Sequence, residues 1–357
     1  MQHINISNET YLIAEKIYIG ALRPLKVFMG EIDFLSVAEK RYLKEGTFYP
    51  IPISLPVDEQ SFSSLNPGDE TQLTLDGVVV GTINVSDKFI VDLRECAKQI
   101  FLTSNPAHPG VKNFTKQSGY FVGGDVRIFE NQKKFLATGE KGPERIKKTI
   151  VDSGAKVVVG IATRNVPHQA HIYIIKKALE WADKFLVLAT IGNNRPGDYH
   201  PHAIGMSYKF IQEKYGFGNK LLFDFVSMPS FLAGPNEALL QAMIRKNFGC
   251  SHFIVGRDHS GIGGFYTRYQ AQEFALKYQE ILGVKIVPQL GPYFCKLCRE
   301  VTTEETCAHS NDDNTIMEIS SSEIKAKQRK GEFFDKNLFD LDLQEFLYKS
   351  KENLFIE

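Results

Sequence analysis

Residues 157–162, VVVGIA, are apolar at every position, and a few residues later the spacing of apolar side chains shifts to that of a helix starting near Pro167 and running to about Asp183. An unbroken apolar run of strand length followed by the three-to-four spacing predicts a strand buried on both faces, a short polar turn, and an amphipathic helix. The same alternation continues on both sides. It predicts a helix over 143–153, strands over 184–190, 220–226 and 252–255, and helices near 202–215 and 236–247. Strands alternating with helices of ten or more residues predict an α/β, Rossmann-like parallel sheet covered on both faces, which binds ligands at the carboxyl ends of its strands.

The first third of the chain has another rhythm. Strand-like runs at 47–55, 71–75, 78–85 and 88–93 are broken by turns at Asn66 to Asp69 and Asp76 to Gly77, with one helix over 36–44. This predicts a small β-rich barrel or sandwich. Beyond Pro292 the composition changes again, to a cysteine cluster and then a serine- and lysine-rich helical region. The expected organisation is therefore a β-rich domain over 1–135, a catalytic domain over 136–290 and a small zinc-bearing region over 291–357.

At 357 residues the chain is too long for one ordinary core, which agrees with several domains. Lysine plus arginine equals aspartate plus glutamate, 42 each, so no overall charge favours nucleic acid or an anionic membrane. No stretch approaches the roughly 20 apolar residues of a membrane span, and the first residues lack the basic and apolar regions of a secretory signal. A cytoplasmic location is expected. Of five cysteines, Cys96 and Cys250 stand alone, while Cys295, Cys298 and Cys307 fall close together with His309 two further on. In a reducing compartment that cluster predicts a closed four-ligand structural zinc site.

The candidate chemistry lies at the predicted strand ends. Thr163, Arg164 and Asn165 form the turn after the first strand of the parallel sheet, and His168 and His171 follow in the first helical turn. An HxxH pair alone is compatible with an ordinary surface face. After a strand, a polar turn with a cation and a proline, it predicts a phosphate site at the donor-rich end of a helix. The next strand leads into residues 192–198, which carry Arg195. The third leads into a tight turn at Ala233, Gly234 and Pro235, and the fourth into Gly256 to Gly264 with Arg257, Asp258, His259 and Ser260. Glycines there let backbone approach a ligand, and the arginine supplies charge-assisted hydrogen bonds. His108, between two prolines, reads as a surface loop residue. Ser320, Ser321 and Ser322 predict a helix cap ahead of Lys325 and Lys327. There is no GxxxxGK[ST] and no GxSxG.

Taken in order, RNVPHQAH, PGD, AGPNEA, GRDHSGIG, the CxxC and CxH pairs and the serine-rich helix start resemble the ATP sulfurylase (sulfate adenylyltransferase) family, in its form without an adenylylsulfate kinase domain. PLKVFM, TFYPIPI, NPAHPGV and GYFVGG resemble that family's PUA-like first domain. The resemblance implies transfer of AMP from MgATP to sulfate, giving adenylyl sulfate and pyrophosphate, and a homodimer. It implies that His168 and His171 hold the triphosphate with Asn165 nearby, and that Arg164 binds the acceptor oxyanion. Arg257 would line the nucleotide and acceptor pocket with Gly256, Asp258, His259, Ser260 and Gly261. Thr163, Arg195 and Ser322 would also belong to the binding site.

Five positions depart from the family pattern. Arg195 stands for a lysine, Ala162 for a glutamine that helps hold sulfate, Ser260 for an alanine, Phe231 for an arginine, and Leu188 for a histidine. One further reading follows from them, the same chemistry with a different oxyanion such as a phosphonate, sulfonate or carboxylate. Another, of a different class, is a binding or regulatory homologue whose PUA-like domain contacts RNA and whose nucleotide site no longer turns over.

Overall fold

Three sheets organise the chain, of which the computed structural model describes residues 3–132, 139–192, 196–310, 312, 314–350 and 353–357. The first sheet has the order β1-β3-β4-β5-β2, formed by His3–Asn5, Glu70–Leu75, Val78–Ile90, Tyr120–Ile128 and Leu55–Pro56. The β1–β3 pair is parallel and the remaining pairs are antiparallel. The two runs expected at 78–85 and 88–93 are one strand, β4. No glycine or proline separates them, and a register shift between Val85 and Asp87 absorbs the irregularity without ending the pairing. Within 47–55, Pro50 and Pro52 have no N–H to give to a ladder, and only Leu55–Pro56 forms a named strand. The expected helix lies earlier, at Glu31–Lys40, because Arg41 takes a left-handed conformation (φ 62°) that ends it.

The second sheet is wholly parallel in the order β10-β9-β6-β7-β8, formed by Lys285–Pro288, His252–Val255, Val158–Thr163, Lys184–Ile191 and Leu221–Ser227. Its two central strands, β6 and β7, are buried at all but one position each, as a sheet covered on both faces requires. The order reverses at β6, which pairs with β7 on one side and with β9 on the other. Crevices for ligands open at such a reversal, outside the carboxyl ends of the strands. The turns after β6 and β9 therefore flank the crevice.

One hydrophobic cluster runs from the first sheet through helix Pro235–Asn247 onto one face of the parallel sheet. A second covers the opposite face with helices Gln169–Leu179 and Pro201–Lys214 and the segment from Phe334 to Leu347. The third sheet, β12-β11-β13 (Glu300–Thr302, Tyr293–Cys295, Ile316–Glu318), carries the cysteine region. Among the described residues no helix is long and apolar enough to cross a membrane.

Candidate active site

The helix after β6 begins at Gln169, two residues later than the sequence pattern places it. His168 is its N-cap, in an extended conformation (φ −118°, ψ 178°), so the two histidines occupy the cap and third positions and do not share the first turn. Pro167 favours this start by fixing its own φ just ahead of the cap. The His168 N–H donates to Nδ1 of His171 at 3.3 Å. That bond places the His171 ring proton on Nε2 when the ring is neutral. The rings lie 4.0 Å apart between centroids. Burial holds His171 at about 4 and pushes His168 well below its ordinary value, with the neighbouring His171 adding to the second shift. Both are neutral imidazoles at pH 7, at the positive end of a helix, which favours anions, although the Gln169 N–H there already donates to Leu338 O at 3.0 Å.

His168 Nε2 meets Ser321 Oγ at 2.9 Å, while its buried Nδ1 has no hydrogen-bond partner. The serine of this triplet at the site is thus Ser321. Ser320 caps helix Ser321–Arg329 by accepting from the Glu323 N–H at 3.4 Å, and Ser322 is exposed on the first turn.

Thr163 is buried, and its Oγ1 accepts the Asn165 N–H at 3.1 Å, which shapes the turn that leaves Arg164 exposed. Arg164 lines a small cleft with Thr190, Gly192, Asp198, Ser230 and Ile356. Ala162 is half-buried beside the core and pairs in register with Leu188. Arg195 lies outside the described residues.

In the loop after β9, Asp258 and Ser260 both have φ 54°, and Gly263 and Gly264 have φ 51° and 76°. This left-handed run folds the loop over itself, with the Gly261 N–H donating to Asp258 O at 2.8 Å. Asp258 is exposed and Gly256 half-buried. Arg257 Nη1 donates to Glu318 Oε1 at 3.3 Å, and its Nε is 3.8 Å from Asp258. His259 Nε2 is 2.8 Å from Gln241 Oε1, and burial, helped by the charge of Arg245, holds the ring at about 4. Ser260 Oγ is buried without a partner.

Two residues here were missed or misplaced by the sequence. Arg245 is fully buried and donates to Leu188 O at 2.7 Å and to Thr190 Oγ1 at 3.4 Å, and burial pushes it down to about 10, so it remains a cation beneath the cleft. The other is His108, which is fully buried, not exposed. Its Nδ1 accepts the Gly110 and Val111 N–H groups at 3.1 and 3.2 Å, and Nε2 lies 3.1 Å from the Tyr266 hydroxyl. The prolines around it signalled a stiff loop but not what packs on that loop.

The cysteine region fits a tetrahedral metal. Ligand atoms of Cys295, Cys298, Cys307 and His309 all lie within 4.8 Å of one another. Zinc–sulfur bonds of ~2.3 Å at the tetrahedral angle give an S–S edge of about 3.8 Å and an S–N edge of about 3.5 Å. Cys298 and Cys307 Sγ are 3.8 Å apart, and His309 Nδ1 is 3.5 to 3.8 Å from the three sulfurs.

Comparison with known proteins gives the family. The ATP-sulfurylase family model matches residues 139–349, and the PUA-like domain model matches residues 1–131. A sulfate adenylyltransferase of Deinococcus radiodurans is 31% identical over 330 residues, covering 92% of this chain and 84% of its own. That of Deinococcus deserti is 32% identical over 333 residues, covering 93% and 85%. Among solved structures, a hexameric APS kinase from Thiobacillus denitrificans superposes with a TM-score of 0.74 at 17% identity, over 98% of this chain and 63% of that one, a likeness of fold. With the family model matched over more than half its length, the chain belongs to the ATP-sulfurylase family.

Proposed function

We propose that this chain transfers AMP from MgATP to sulfate, giving adenylyl sulfate and pyrophosphate. The observation that carries the reading is the pair of neutral imidazoles at the start of helix Gln169–Leu179, on the same turn as an exposed arginine at the reversal of the sheet. A sulfate oxygen attacks the α-phosphorus, the bond from that phosphorus to the β-phosphate oxygen breaks, and its electron pair leaves with pyrophosphate. No protein nucleophile and no proton transfer are needed; positioning and charge stabilisation suffice.

In this reading Arg164 receives the acceptor, with Asn165 beside it. His171 Nε2–H and the free edge of His168 meet the phosphates as charge moves onto the leaving pyrophosphate. Arg257, His259 and the backbone of Gly256, Gly261 and their neighbours line the nucleotide side, with Asp258, Ser260, Thr163 and Ala162 around it. Ser321 supports His168 in place of the expected Ser322, and Arg195 supplies a further cation. Mg2+ enters with ATP and screens its phosphates. Cys295, Cys298, Cys307 and His309 hold one structural zinc away from the chemistry. The protein acts in the cytoplasm as a homodimer, which light scattering tests. Sulfate is favoured over another oxyanion because the relatives that cover nearly the whole chain are named sulfate adenylyltransferases.

The test is to incubate the protein with MgATP and sulfate and to measure both products. Pyrophosphate and adenylyl sulfate in equal amounts, each dependent on sulfate, are expected. Release of pyrophosphate without sulfate, or none with it, overturns the reading.

A further inference from the structure

Residues 354–356, at least 190 positions beyond Arg164, return to the sheet edge that carries the site. The Gly197 N–H donates to Ile356 O at 2.7 Å, the Ile356 N–H to Asp198 O at 2.8 Å, and the His200 N–H to Leu354 O at 2.8 Å. Tyr199 and Phe355 form an antiparallel bridge, and their rings stack at 5.0 Å and 28°. The Arg329 guanidinium lies 5.8 Å from the Phe355 ring centre, on the helix whose Ser321 meets His168. Three backbone hydrogen bonds and a stacked pair fix the register of this tail, since a slip by one residue would break all three bonds and turn Ile356 to the other face. The register found puts Ile356 in the cleft with Arg164, Thr190, Gly192, Asp198 and Ser230.

The cleft leaves about 30 Å³ of free space. That is room for about two waters. Ala162, at the end of β6, carries no side chain long enough to limit what stands beside Arg164. On the reading that Arg164 receives the acceptor, we propose that Ile356 sets acceptor size: its side chain is the wall that admits a compact tetrahedral oxyanion and excludes one carrying an alkyl group. Phe355, stacked on Tyr199, holds that wall in place and does not itself line the cleft.

The test compares sulfate with methanesulfonate as acceptors, reading pyrophosphate release from MgATP by the wild type, Ile356→Ala and Phe355→Ala. Methanesulfonate attack at the α-phosphorus breaks the same bond and releases the same pyrophosphate. Removing a wall that excludes one methyl group is expected to raise the kcat/KM ratio of methanesulfonate over sulfate by roughly 10-fold or more in Ile356→Ala. Phe355→Ala is expected to move the ratio the same way by a smaller factor. A loss of folded protein lowers both rates together and cancels in the ratio. An unchanged ratio in both variants, on an enzyme that uses sulfate, overturns the role of Ile356 alone; a wild type inactive with sulfate overturns the activity reading and this role with it.

Discussion

His168 Nε2 and Ser321 Oγ stand 2.9 Å apart across 153 positions of the chain. The bond joins the cap of the helix after β6 to the first turn of helix Ser321–Arg329, which also sends Lys325 to Asp198 at 2.9 Å and Arg329 toward Phe355. Without the serine hydroxyl, neither ring nitrogen of His168 has a partner, because Nδ1 already lacks one. Ser321→Ala is expected to lower kcat for sulfate-dependent pyrophosphate release by about tenfold, in line with a lost hydrogen bond of roughly 1 to 1.5 kcal/mol. Ser322→Ala, on the exposed neighbour, is expected to leave kcat within about twofold. Equal effects of the two substitutions would contradict this role for Ser321.

The loop after β9 is tied to the first domain through Tyr266. Because both N–H bonds to His108 end on Nδ1, its ring proton sits on Nε2 and donates to the Tyr266 oxygen, while the hydroxyl donates to Phe101 O at 2.7 Å. Tyr266→Phe keeps the ring that packs on Gly234 but leaves a buried donor and acceptor without partners. A loss of roughly 1 to 3 kcal/mol and a fall in melting temperature of several degrees are expected. KM for ATP is expected to rise with kcat little changed, since the loop is held less well but its groups are intact. A melting temperature within about a degree of wild type would contradict the tie.

The strand, turn and helix around residues 157–183 were legible because their pattern is local: an apolar run, a polar turn and a change of period. So were the other strands of the parallel sheet apart from β10, which holds only two apolar residues between a lysine and a proline. The partners of the site were not legible. Ser321, Gln241, Glu318, Tyr266 and Ile356 reach it from elements far along the chain, and nothing in their own surroundings marks the contact. His108 was misplaced for the same reason, since its burial depends on Phe101, Phe265 and Tyr266 and not on the prolines beside it.

Acid should unfold the protein through its buried imidazoles. His171 and His259 are held at about 4, against 6.5 in the unfolded chain, and His168 and His108 are lowered as well, burial being the main cause in each. At these imidazoles the unfolded chain binds more protons between about 4 and 6.5, so their contribution to stability rises with pH across this window and is lost as pH falls. The carboxyls of Asp224, raised to about 6, and of Glu140 and Glu237, all raised by burial, act in the opposite direction and are outnumbered. Melting temperature of the ligand-free protein is expected to be level above pH 7 and to drop steadily from pH 6.5 toward 4.5. A maximum near pH 5 would contradict the burial of these rings.

Removal of metal should act on the third sheet and not on the chemistry. About one equivalent of zinc is expected in protein purified without chelator. Stripping it should lower the melting temperature, because thiolates and an imidazole held within 4.8 Å of one another lose the ion that joins them. Cys298→Ser, at the exposed ligand, should reduce bound zinc to well under half an equivalent. Full retention of zinc by that variant would exclude this ligand set.

The most direct test of the central claim is the rate of adenylyl sulfate formation by His171→Ala and His168→Ala beside the wild type, with circular dichroism of each. Both imidazoles are assigned to phosphate oxygens, so each variant is expected to keep the wild-type fold and lose turnover on the order of 10²-fold, as removal of one transition-state donor does. A variant that turns over at the normal rate with a lowered melting temperature would show that the pair is structural.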